Sequence, residues 1–135
     1  MTEVTSQLFQ SAARCECGVL AYCVMPDHLH TLIEAQAARA DFDALMTCFT
    51  RGQRSLWQPG HRERVLRGDE ASDSAARYIL ENPVRAGLTR VVGEYPFAWS
   101  DVYDLESLLS RTNTRQRGCA TAFIAPALWC ATRDR

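Results

Sequence analysis

The chain has 135 residues, 47% of them hydrophobic and 23% charged, with a net charge of −1. That is enough for one core and too little for two. No stretch approaches the ~18-residue apolar run of a membrane helix, and the polar start "MTEVTSQLFQ" lacks a signal-peptide layout, so a cytoplasmic location is expected.

The stretch "EVTSQLFQSAAR" places Val4, Leu8 and Ala12 four residues apart and predicts a helix. "GVLAYCVMPDHLHTLIEA" is β-rich and broken once, at Pro26, which predicts two strands or one bent strand. Residues 41–57 open with Asp41 as an N-cap and carry Phe42, Leu45 and Phe49 at helical spacing. "RERVLR" reads as a short strand, and "SDSAARYILEN" as a helix with Ser or Asp caps that Pro83 stops. The expected class is therefore α+β: a ferredoxin-like antiparallel sheet with helices on one face, lacking the first strand of the β-α-β-β-α-β order, plus a C-terminal tyrosine-bearing helix. Residues 1–104 read as the domain and 105–135 as a tail, either a docked helix or loose.

The six cysteines form no C-x-x-C pair and read as reduced thiols; Cys15 and Cys17 alone are a weak metal signal. Every basic residue is arginine, and eight of them against five acids lie between Arg51 and Arg90. A positive stretch on a near-neutral protein suits a short, shaped anionic ligand better than a long duplex, although solvated surface arginines give the same pattern.

In "MPDHLH", His28 and His30 project from one face of a strand and Leu29 from the other. Two neutral imidazoles so placed clamp a divalent cation; an idle pair of exposed histidines is the plain alternative. In "RYILENPVRAGL", Tyr78 and Asn82 lie one helical turn apart, and Tyr78 falls off the apolar stripe of Ala76, Ile79 and Leu80. Taken singly, Tyr78 also fits a half-buried aromatic and Asn82 a helix terminator. Together, two imidazoles and an amide oxygen give a cation three ligands, and a phenol assisted by that cation or a base could attack a DNA phosphodiester, leaving a phosphotyrosine and a free 3′-hydroxyl.

Four blocks, "AYCVMPDHLHTLIE", "CFTRGQRSLWQPG", "RYILENPVRAGLTR" and "YPFAWSDVY", spanning residues 20 to 104, resemble the REP-associated tyrosine transposases of the single-tyrosine HUH superfamily. The resemblance implies metal-dependent cleavage and transfer of single-stranded DNA at hairpins or palindromes through a covalent 5′-phosphotyrosine. His28 and His30 match the metal histidines, Asn82 the third ligand and Tyr78 the nucleophile, with magnesium or manganese as cofactor. DNA is the implied partner of a monomer or homodimer. Arg51, Arg54, Arg62, Arg64 and Arg85 are candidate phosphate contacts. Trp57, Tyr95, Phe97 and Trp99 are stacking candidates, with Trp57 and Trp99 expected in the core. Asp27, where the family commonly has asparagine, is placed to tune a histidine.

The family's strand before the first helix has no counterpart here, which leaves a misplaced start, a decayed copy or a substitute strand as explanations. The alternative function is therefore a catalytically inactive or domesticated relative that only binds structured single-stranded DNA. A small zinc protein using cysteines is a third class, for which the spacing offers no converging ligands.

Overall fold

A computed structural model describes residues 2–52, 56–57, 62–66, 69–110 and 120–126. The elements are α1 (Thr2–Arg14), β1 (Cys17–Val24), β2 (His28–Ala35), α2 (Phe42–Gly52), β3 (Arg62–Leu66), α3 (Asp69–Arg85), β4 (Ala98–Trp99), α4 (Leu105–Leu109) and β5 (Ala120–Pro126). The class is α+β, as expected, and every strand pairing is antiparallel, in the order β3-β5-β2-β1-β4.

The β1–β2 hairpin is where the sequence speaks most directly. Pro26 and Asp27 form the bend, and the Met25 N–H donates to the His28 carbonyl at 2.8 Å. Both faces of this hairpin are covered, so its strands read as nearly continuous apolar runs. The register shifts between Val19 and Ala21. That irregularity lets Leu20 and Ala21 both join the core on the α3 face, while Cys17, Val19 and Val24 pack on the other.

On that other face, α1 buries Val4, Leu8 and Ala12 and α2 buries Leu45, Met46 and Phe49 against Leu29 and Ile33. Asp41 caps α2: its carboxylate accepts from the Ala44 N–H at 2.9 Å. The helix is described to Gly52, and Leu56 and Trp57, within the expected span, are not helical. Trp57 is buried beside Phe49, as expected of a core indole. Across the sheet, α3 lays Ala76, Ile79 and Leu80 on Leu20, Ala21, Cys23 and Leu32.

Three expectations need correction. Pro83 does not stop α3, which runs on to Arg85. Pro83 gives up its own N–H bond and crowds the carbonyl one turn back, yet the Ala86 N–H still reaches the Asn82 carbonyl at 2.9 Å. What ends the helix is Gly87, at φ +72, with the Gly87 N–H donating to Val84 and the Leu88 N–H to Pro83. This is the paired-bond arrangement of a left-handed glycine terminus. At its other end α3 starts at Asp69, so Ser72 is a buried interior residue rather than a cap.

Trp99 is the second correction. It is 56% exposed on the two-residue edge strand β4, its indole N–H donating to Asp101 at 2.8 Å. The segment around it anchors rather than fills. The Tyr95 hydroxyl donates to the Val24 carbonyl at 2.8 Å, and the Ser100 hydroxyl donates to Leu20 at 2.5 Å while accepting from Val102 and Tyr103. Third, the segment after residue 104 is neither one docked helix nor, in its described part, loose. It supplies α4 and then β5, which lies between β2 and β3.

Candidate active site

The bend that ends β1 also builds the site. Asp27, within it, places Oδ1 2.5 Å from His28 Nδ1. With Nδ1–H turned to that carboxylate, His28 presents the lone pair of Nε2 in the opposite direction. Strand alternation then brings His30 to the same side. The two Nε2 atoms stand 2.8 Å apart, and the rings meet edge to face at 4.6 Å.

His28 is partly exposed, whereas His30 is only 6% exposed. Burial, and next the neighbouring His28, push the His30 imidazole from 6.5 down to about 4, with Asp27 acting the other way. His30 is therefore neutral at physiological pH, the state in which an imidazole binds cations. A linkage follows. The unfolded chain takes up a proton near pH 6.5 that folded His30 refuses until about pH 4. Stability from this source is full above pH 6.5 and falls through that window by about 1.4 kcal/mol per pH unit. Urea midpoints should drop accordingly between pH 7 and pH 4.5, and His30→Gln should flatten the slope.

α3 brings the third component. Its apolar stripe faces the sheet, which leaves Tyr78 at the margin, 47% exposed, with its ring centroid 6.0 Å from that of His30 and nearly perpendicular. The Arg85 guanidinium lies over the same ring, 4.4 Å from its centroid. Asn82, one turn beyond Tyr78, is half-buried and its Nδ2 has no hydrogen-bond partner. Tyr78, His28 and His30 are thus brought together on the α3 face of the sheet.

The proposed phosphate contacts are not gathered in the same way. Arg85 sits on Tyr78, whereas Arg51 closes α2 and is exposed on the α1–α2 side. Arg54 lies outside the described residues, and of Arg62 and Arg64 only the strand backbone is described. Among the described residues, no three His, Cys, Asp or Glu side chains gather to hold a metal ion, and no helix is long and apolar enough to cross a membrane. Cys119 and Cys130 lie outside the described residues.

Two residues were passed over in reading the sequence. Glu81 joins Arg77 and Arg85, accepting from Arg77 Nε at 3.1 Å and from Arg85 Nη2 at 2.9 Å. The signal was present: three charges of alternating sign, four residues apart on a helix.

Two curated proteins match the chain. A REP-associated tyrosine transposase of Escherichia coli K12 is 29% identical over 84 residues, covering 58% of this chain and 51% of that protein. A sequence from Haemophilus influenzae Rd, given the same family description, is 26% identical over 115 residues, covering 67% and 65%. Both support the REP-associated tyrosine transposase assignment. The chain spans about half of the Escherichia coli relative and under two thirds of the other. No protein-family model and no solved structure match it.

Proposed function

We propose that this protein is a metal-dependent endonuclease and strand transferase for single-stranded DNA at hairpins or palindromes, with Tyr78 as nucleophile. The observation that carries the reading is the placement of an exposed phenol beside two converged imidazoles. In the proposed reaction the phenol oxygen bonds to a backbone phosphorus and the P–O3′ bond breaks. The phenolic proton is lost to solvent or a basic group and the 3′-oxygen leaves as a hydroxyl. The 5′-phosphotyrosine keeps the bond energy, so a second 3′-hydroxyl reverses the step without a nucleotide cofactor.

The donor set suits a divalent ion. Two ligand atoms ~2.1 Å from one ion and at right angles to each other stand ~3.0 Å apart, close to the 2.8 Å between the two Nε2 atoms. Asn82 would complete the set with its amide oxygen; in this structure its Nδ2 has no hydrogen-bond partner. Magnesium or manganese held there would polarise a phosphoryl oxygen. His28 and His30 share an Nε2 proton at 2.8 Å that a bound ion would displace, Asp27 orients His28, and α3 keeps the phenol at the rim.

The test is a hairpin-bearing single-stranded oligonucleotide mixed with protein and manganese. An SDS-stable adduct through the 5′ end of the fragment downstream of the cut is expected, with a free 3′-hydroxyl on the upstream fragment, and EDTA should prevent it. Binding without any adduct would instead leave the inactive, binding-only relative. Asp27→Asn should weaken manganese binding about 10- to 100-fold, the usual cost of losing a carboxylate behind a histidine ligand; calorimetry on the DNA-free protein measures it.

A further inference from the structure

Arg77, Tyr78, Glu81 and Arg85 lie along one side of α3, and their side chains form a connected series. Arg77 Nη2 donates to the carbonyl of Leu109, at the end of α4. Arg77 Nε donates to one oxygen of Glu81, and Arg85 Nη2 donates to the other. Arg85 ends the series with its guanidinium carbon 4.4 Å from the Tyr78 ring centroid. Each carboxylate oxygen thus serves a different arginine, and the outer arginine is held where it covers the phenol ring.

A tyrosine that is 47% exposed on a helix is not fixed by packing. Toward the sheet it meets the His30 ring, at 6.0 Å and edge-on. Something else has to select its rotamer, and a guanidinium stacked on the ring is a flat, charged partner suited to that. Such a contact is too weak to hold a fold, yet it biases a side-chain equilibrium several-fold.

We propose that Arg85 is the positioning residue for Tyr78, and that Glu81, braced by Arg77 against α4, is what holds Arg85 in place. The stack keeps the ring beside His30. Guanidinium N–H groups not spent on Glu81 remain for an anionic oxygen arriving at the phenol, so Arg85 is distinguished from a generic phosphate contact by acting on the ring. That last part rests on the proposed nuclease function; the stack itself does not.

The test uses the full chain with 13C-labelled tyrosine rings. There are four tyrosines, and Tyr78→Phe assigns the signal of interest. Arg85→Gln and Glu81→Gln should each move the Tyr78 ring signal toward that of a free tyrosine. Arg85→Lys should fall between, because it keeps the charge and loses the plane. The other three signals report that the fold is intact. On a manganese-loaded hairpin substrate, Glu81→Gln should slow adduct formation at saturating DNA several-fold, the size of the rotamer bias that is lost. Hairpin affinity should stay within about twofold, since an exposed ion pair adds little. An unmoved Tyr78 signal in Arg85→Gln overturns the proposal, as does a Glu81→Gln protein that loses affinity and keeps its rate. If wild type forms no adduct at all, the nuclease reading fails while the ring signals still decide the stack.

Discussion

Tyr78→Phe is expected to reduce the covalent DNA adduct by at least ~10³-fold, as loss of a nucleophile does, with hairpin affinity within about twofold and an unchanged melting temperature. The reason lies in how the ring is placed. At 47% exposure it belongs to neither core cluster, so removing its hydroxyl strands no buried group and opens no cavity. Phenylalanine keeps the edge-on contact with His30 and the face under Arg85. The substitution therefore removes an oxygen and little else. A fall in adduct that tracked a fall in stability would point to a packing role for the ring. An adduct persisting in the Tyr78→Phe protein would assign the nucleophile elsewhere. SDS gels of labelled oligonucleotide, run beside thermal melts, separate these outcomes.

Local pattern carried much of this architecture and non-local pairing did not. The H-x-H spacing, the proline between two apolar runs and the off-stripe position of Tyr78 are consequences of strand and helix periodicity, and each is legible within a dozen residues. The end of α3 was misjudged because Pro83 is the louder signal, whereas Gly87 provides the left-handed turn that ends the helix. Trp99 defied the usual burial of indoles because β4 is a two-residue edge with only Asp101 to meet its N–H. Arg85 was legible as a cation but not as a partner of Tyr78. Seven residues of separation and an intervening proline hide the fact that they share a helix face. β5 was the least readable element. "ATAFIAP" is too short and too uniformly apolar to show a period, and its partners lie more than 50 residues away in sequence.

That strand carries the second large effect. Ile124→Pro is expected to cost on the order of 3 kcal/mol, comparable with proline inside a helix, and to loosen the candidate site with the fold. Ile124 sits in register with His30 on one side and Arg62 on the other, so a proline there removes a ladder bond from the middle of the sheet. β5 is antiparallel to β2, as β1 is, and therefore runs parallel to β1 with the histidine strand between them. This is the relation that a strand leading into α1 would have to β1 in a β-α-β unit. β5, drawn from the other end of the sequence, thus lies beside β2 where such a strand would stand. The ends agree too. A tight turn joins α1 to β1, so the start of α1 lies at the Val24 end of the sheet, where Pro126 pairs with His28. Moving residues 119–135 ahead of residue 2 should consequently preserve both fold and manganese binding. Carrying Ile124→Pro in either arrangement should lower the urea midpoint by the same amount. Hydrogen exchange at the β2 amides reports the outcome directly. Protection of Leu29 to Ile33 unaffected by the proline would mean that the histidine strand stands without β5.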